Sequence, residues 1–126
     1  MFVLAKETIW VWPVVVKLPR EGQIVETHFR AKFKLVPDEM RHHIAASYNE
    51  QEVQDRTREL LSEALLEVYD VLDEHEAPLR LTPEVKAALL GNSFVMRGLA
   101  DAYGESLRGV PTAAELGNSV PSGGPG

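Results

Sequence analysis

The chain has 126 residues, a formal net charge of -6 at pH 7 and a hydrophobic fraction of 44%. This length suits a single domain, and the composition is that of a globular protein. No cysteine is present, which excludes disulfides, thiolate metal sites and a cysteine nucleophile. The acidic charge does not attract phosphates, so nucleic acid is not an expected partner. The longest apolar run, 9–16, is too short for a membrane-spanning helix, and no membrane partner is expected.

The first predicted element is a β-hairpin. Residues 10–18 are rich in Val and Trp, which favour strands, and 19–22 form a turn cluster of Pro, Arg, Glu and Gly. The return segment alternates between a predicted core face and a polar face. The core face comprises Phe29, Ala31, Phe33 and Leu35, and the polar face comprises Glu26, His28, Arg30, Lys32 and Lys34. Because Pro13 lacks a backbone donor, the first strand either lies at a sheet edge, which we favour, or begins at Val14.

Helical patterns follow the hairpin. A short helix is predicted over 38–46, since Pro37 and two acidic residues suit a helix start. A longer amphipathic helix is predicted over 50–72. Its apolar positions recur at helical spacing and comprise Val53, Leu60, Leu61, Ala64, Leu65, Val68 and Leu72. Residues 79–81 suit either a short third strand or an extended connector.

Two more helices are predicted before the composition changes. Thr82 and Gly91 have the positions of an N-cap and a helix end, and Asn92 or Ser93 caps the last helix. The apolar stripe of that helix comprises Phe94, Val95, Leu99, Ala102, Tyr103 and Leu107. From residue 109 onward Gly, Pro, Ser, Asn and Ala predominate, which predicts a flexible tail.

These elements predict an α+β fold. A single domain, 1–108, contains an N-terminal antiparallel β-hairpin or small sheet packed on about four α-helices, and 109–126 form a flexible tail rich in Gly, Pro and Ser.

The sequence contains no motif that would support catalysis. His42 and His43 are adjacent, so on a helix they point about 100° apart and do not suit one metal ion. The acidic cluster 70–76 lacks the glycine and the spacing of a calcium loop. We therefore expect no catalytic residues, no metal site and no cofactor, and we do not expect an enzyme.

The first strand offers two interpretations. Trp10 and Trp12 share one strand face, where they would belong either to the core or to a docking surface, because edge strands and aromatic anchors favour partner binding. On the second interpretation, the partner-binding residues are Trp10, Trp12, Val14, Val16, Phe29 and Phe33.

The order of these segments resembles the tail assembly chaperones of tailed bacteriophages and prophages. The resemblance spans about 12–109. It depends on Trp12-Pro13-Val14-Val15-Val16-Lys17-Leu18-Pro19 with Gly22, on Phe29-Arg30-Ala31-Lys32-Phe33-Lys34-Leu35, on Leu81-Thr82-Pro83-Glu84, on Leu89-Leu90 and on Leu99-Ala100-Asp101-Ala102-Tyr103. This is a pattern of order and spacing and not a catalytic signature.

The resemblance implies a protein that works in the cytoplasm of the bacterial host and is not expected in the mature virion. Such chaperones self-associate, bind the tape-measure protein and help the tail-tube protein to polymerise around it. They are commonly made in two lengths, so a frameshifted longer form of the same protein is a further implied partner. Residues 123–125, Gly-Gly-Pro, are compatible with the codons of a slippery heptamer.

Two alternatives remain open from the sequence. A small head-tail structural or adaptor protein would share this composition but stay in the virion. A small metal-dependent or nucleotide-handling enzyme would need the histidines to converge in space.

Overall fold

The computed structural model describes residues 6–109. The predicted flexible tail, apart from residue 109, lies outside the described residues, as does the segment 1–5. The described elements, in chain order, are β1 (Ile9–Arg20), β2 (Gln23–Lys34), α1 (Asp38–Ala45), α2 (Glu50–Ala64), β3 (Leu65–Tyr69), α3 (Pro83–Gly91) and α4 (Ser93–Arg108). Within this part of the chain, no helix is long and apolar enough to span a membrane.

The predicted hairpin is confirmed. β1 and β2 are antiparallel and pair continuously, from Ile9 opposite Lys34 to Arg20 opposite Gln23. Glu21 and Gly22 connect them with φ angles of 49° and 79°, and two successive residues with positive φ are characteristic of a type I′ turn. The strand order is β1-β2-β3, so β1 lies at a sheet edge, as predicted.

The phase of the hydrogen bonds explains how β1 accommodates two prolines. In a two-residue hairpin the residues that flank the turn bond to each other, and every second pair repeats this. The N–H of Leu35 donates to the carbonyl of Thr8 at 2.9 Å. The pair of Thr8 and Leu35 therefore belongs to the same hydrogen-bonded series as the pair that flanks the turn. Odd-numbered residues of β1 therefore point their backbone polar groups away from β2. Pro13 and Pro19 are both odd-numbered, so neither removes a bond to β2.

The predicted helix 50–72 is wrong beyond residue 64. α2 ends at Ala64, and β3 pairs antiparallel with β2, placing Val68 opposite Ala31. A helical stripe and a short buried strand both suit this apolar run, and pairing with β2 decides between them. Two positions predicted for the helix core, Val53 and Leu72, are 39% and 57% exposed.

The later helices begin where the sequence predicts. The hydroxyl of Thr82 accepts a bond from Val85 N–H at 3.2 Å, and the side-chain oxygen of Asn92 accepts from Phe94 and Val95 N–H. Between β3 and α3, residues 79–81 form a connector and not a strand; the N–H of Leu79 donates to a backbone carbonyl of residue 71 at 2.8 Å.

The core lies between the sheet and the helices. α4 packs along β1, and its Leu99, Ala102 and Tyr103 are buried as predicted. Leu35 and Phe94, also predicted in the core, are 48% and 41% exposed. Leu35 follows the last residue of β2, where the alternation of the strand ends, and Phe94 lies in the first turn of α4. The described residues confirm the predicted α+β arrangement, with a three-stranded antiparallel sheet and four helices.

Candidate protein-binding surface

The hairpin is longer than the sheet to which it belongs. β3 pairs with β2 only between Arg30 and Phe33. Before that point every β2 residue from Gln23 to His28 is exposed. Residues 17–27, which we call the hairpin arm, are therefore a two-stranded ribbon. Such a ribbon is marginally stable in water without a further strand or a packing partner.

The arm leaves one edge of β2 unpaired. By the phase established above, the even-numbered residues of β2 point their backbone polar groups away from β1. Arg30 uses this side to pair with Tyr69 of β3. Among the described residues, the backbone groups of Ile24, Glu26 and His28 on this side have no hydrogen-bond partner. This unpaired edge, 24–28, is about five residues long, which is the usual length of a strand.

β3 stops short of the arm because the chain turns sharply after Tyr69. Asp70 has a φ of 67°, in the left-handed region that ends a strand. Its carboxylate accepts a hydrogen bond from the Arg30 guanidinium at 2.7 Å, and this bond holds the pKa of Asp70 below its usual range. The same guanidinium lies 5.2 Å from the centre of the Tyr69 ring, within range of a cation–π interaction.

An apolar groove opens beside this edge, at the base of the arm. The arm groove has a volume of about 270 Å³. Two of its aliphatic residues come from β1, and the others come from the chain after β3, from α3 and from α4. They are Val16, Leu18, Val71, Leu72, Leu89 and Val95. Leu18 lies opposite Val25 on the core-side face of the arm, and Val25 and Leu72 are 42% and 57% exposed.

The groove carries little charge. Asp70 is the one Asp, Glu, Lys or Arg that lines it, and Arg30 pairs with its carboxylate. The surface therefore suits an uncharged apolar segment, with backbone groups available beside it.

Four of the six predicted partner-binding residues lie in the core. Val14 and Phe33 are fully buried, and Val16 and Phe29 are 2% and 8% exposed. In this fold Val14 and Phe33 lie in the core and stabilise the domain, whereas Val16 and Phe29 also line the arm groove. This placement favours the core interpretation of the strand.

The two tryptophans are half-buried and pack against the same core. The Trp10 ring stacks on Tyr103 with centroids 5.7 Å apart, and it contacts Phe33 at 6.2 Å. Trp12 packs against the core cluster as well.

The free edge of β1, which the sequence suggests as a docking edge, is obstructed at its centre. Pro13 offers no outward N–H. Two residues later α4 approaches so closely that a Cβ on Gly98 would lie 2.6 Å from the carbonyl oxygen of Val15. A proline and a covering helix are two common protections of a sheet edge.

A second groove, of about 610 Å³, lies between α2 and α3. Its two cations bond to the backbone at helix ends: Arg58 donates to the Leu90 carbonyl at 3.0 Å, and Lys86 donates to the Ser62 carbonyl at 2.7 Å. These bonds satisfy carbonyl groups that a helix C-terminus leaves open. The two cations therefore have a structural role.

The titratable side chains of residues 6–109 form no cluster that would hold a metal ion. Within residues 6–109 no three His, Asp or Glu side chains are placed to hold one metal ion. His42 and His43 lie in the last turn of α1, on a different element from His28. Asp73, Glu74, His75 and Glu76 lie in the loop after β3.

The comparisons with known proteins add no relative. No protein-family model, no curated protein and no solved structure matches this chain.

The sequence analysis missed the unpaired edge of β2 and the arm groove. Its helix prediction assigned Leu72 to a core, and Val25 belonged to no predicted pattern. The β-branched and aromatic residues Val68, Tyr69 and Val71 were a signal for a strand in this region. Nothing in the sequence, however, sets the residue at which β3 leaves β2.

Proposed function

We propose that this protein is a tail assembly chaperone of a tailed bacteriophage or prophage. It self-associates, binds the tape-measure protein and promotes assembly of the tail-tube protein around it. A frameshifted longer form acts with it. The protein acts in the bacterial cytoplasm without a catalytic group or a cofactor. No copy of it remains in the mature virion.

One observation supports a role in protein binding above the others. The hairpin arm carries exposed apolar side chains beside an unpaired strand edge and an open apolar groove, all within one surface. Exposed apolar patches of this kind are typical of surfaces that bind proteins. A chaperone that self-associates and covers apolar segments of a client needs exposed apolar surface of this kind. The assignment to phage tails comes from the resemblance in sequence order described above.

Coexpression with the client tests the proposal. The tape-measure gene of the same genome is expressed with and without this protein, and the soluble fraction of the tape-measure protein is measured. We expect the wild-type chain to raise that fraction. Val25→Lys places a charge on the arm at a residue that is already 42% exposed, so it should reduce this effect while the domain stays folded.

Tyr48→Lys is the matched control, because Tyr48 is 91% exposed and lies between α1 and α2, away from the arm. It should behave as the wild type does. Equal solubility of the tape-measure protein with and without the wild-type chain would contradict the proposal. Mass spectrometry of purified virions separates the alternative, since a head-tail structural protein would be found in the particle.

A further inference from the structure

The arm has the features of a site for an added strand. Its β2 edge offers unpaired N–H and C=O groups at Ile24, Glu26 and His28, and the apolar arm groove lies beside that edge. Strand addition uses this combination, in which backbone bonds supply affinity and pockets accept alternate side chains. The edge has room for about five residues. An occupant should therefore be short, extended, apolar and uncharged.

The chain itself contains a short segment that is apolar and has no charged side chain. Residues 1–5 read Met-Phe-Val-Leu-Ala, with no charged side chain. They precede β1, whose start lies beside the end of β2. The Glu7 carboxylate is 3.7 Å from the Lys34 ammonium, and the carbonyl of Thr8 accepts a hydrogen bond from the N–H of Leu35.

The segment cannot reach the arm groove of its own copy. Val16 is the first β1 residue in the groove, and it lies nine positions along the chain from Glu7, which is about 30 Å where the backbone is extended. With Lys6 as the link, residues 1–5 extend at most about 22 Å from Glu7. Only the segment of another copy can occupy the groove.

We propose that the unpaired β2 edge, 24–28, accepts the segment 1–5 of a second copy as an added strand, in line with β3. One set of alternate side chains of that strand enters the arm groove. The donor lies at one end of β1 and the acceptor at the other, so the contact is head-to-tail and generates rings or open chains. This inference rests on the self-association in the proposed function, and it does not depend on the client.

Two proline substitutions separate donor from acceptor. Val3→Pro removes a backbone donor from the segment 1–5 and keeps the residue apolar. Glu26→Pro removes an N–H that points away from β1, so no bond between the two strands is lost. Pro13 and Pro19 occupy equivalent outward positions in β1. Each variant alone should associate at least about tenfold more weakly than the wild type, measured by analytical ultracentrifugation.

The decisive measurement is a mixture of the two variants. The Val3→Pro chain keeps a working acceptor, and the Glu26→Pro chain keeps a working donor. Together they should form a 1:1 dimer that grows no further, because the remaining donor and acceptor are both blocked. The purified wild-type chain should form dimers or larger species without any client.

Two controls accompany the mixture. Glu50→Pro makes the same exchange at the first residue of α2, where proline is tolerated, and should associate as the wild type does. Leu72→Lys adds a charge at the exposed rim of the groove. It replaces Glu26→Pro as the variant with a blocked acceptor if Glu26→Pro does not fold. Circular dichroism of each variant establishes that it is folded.

Three results would overturn the inference: a wild-type chain that stays monomeric at high micromolar concentration, folded variants that associate as the wild type does, or two monomeric variants that do not combine. Because none of these measurements includes the tape-measure protein, they are independent of the client test. Solubilised client with no complementation would overturn the added strand alone. Complementation without an effect on the client would overturn the chaperone assignment alone.

Discussion

Gly98 of α4 lies directly against the backbone of Val15 in β1. A Cβ on this glycine would lie 2.6 Å from the Val15 carbonyl oxygen and 3.2 Å from a methyl group of Val16. Because backbone cannot rotate away as a side chain can, the absence of a Cβ sets the distance between α4 and the edge of the sheet. The same contact covers the outward carbonyl of Val15, which a second strand would otherwise pair with.

Gly98→Ala should therefore destabilise the domain although alanine favours helices. Pushing α4 away from β1 is an overpacking change, and we expect a loss on the order of 1–3 kcal/mol in the free energy of unfolding, measured in urea. Gly104→Ala is the matched control, because the nearest atom there is the flexible Arg108 side chain at 3.2 Å. It should leave stability unchanged or raise it by up to about 1 kcal/mol. Equal stability of the two variants would contradict this account.

Tyr103→Phe should cost stability through two backbone groups. The Tyr103 hydroxyl accepts from the N–H of Val36 at 3.1 Å and donates to the carbonyl of Lys34 at 3.2 Å. Without the hydroxyl, the Val36 N–H and the Lys34 carbonyl lose this partner at the point where the chain leaves β2. We therefore expect the free energy of unfolding to fall by an amount on the order of 1–3 kcal/mol. Tyr48→Phe, at a residue 91% exposed, should not change the urea midpoint. A Tyr103→Phe midpoint equal to that of the wild type would show that these bonds contribute nothing net.

Glu67 should make stability depend on acid pH. Burial raises the pKa of its carboxyl, but bonds from the N–H groups of Val68 at 3.0 Å and Leu81 at 2.9 Å outweigh this and lower the pKa below the ordinary 4.5. A lowered folded-state pKa means that the stabilisation is present above the unfolded value and is lost as pH falls through the folded value. Glu67→Ala should therefore lower Tm at pH 7.

The same variant should differ less from the wild type below the folded pKa of Glu67, because the wild-type carboxyl is then protonated. Hydrogen exchange at Leu81 N–H should be faster in Glu67→Ala at pH 7. Glu59→Ala is the control, since Glu59 is exposed on α2. A Tm difference that stays constant between pH 7 and pH 3 would contradict the role of the charge.

The hairpin was predictable because the alternation along its second strand and the turn cluster agree on it. Alternation places Phe29, Ala31 and Phe33 on one face, and Gly22 supplies the positive φ that its turn requires. The caps at Thr82 and Asn92 were predictable as well, because each depends only on one side chain and the backbone N–H groups of the next few residues.

The end of α2 was not predictable in this way. Residues 65–77 contain no glycine or proline, and Leu65 takes an extended conformation with ψ near 119°. What ends the helix is distant in sequence: β2 has a second edge on the side away from β1, and Val68 and Leu65 lie opposite Ala31 and Phe33 there. Such tertiary pairing overrides local propensity. The arm groove depends on where that pairing stops, so it could not be located from the sequence either.

Pro13→Val tests whether proline protects the other edge of the sheet. The new residue should fit the strand and add an outward N–H between those of Val11 and Val15, so the free edge of β1 gains a continuous row of donors. In a Glu26→Pro background, which removes the proposed contact through β2, we expect concentration-dependent association by light scattering and unchanged circular dichroism. Pro83→Ala in the same background is the control, since this proline begins α3, and it should stay monomeric. A monomeric Pro13→Val variant would mean that α4, through the contact of Gly98 with Val15, protects the edge without help from the proline.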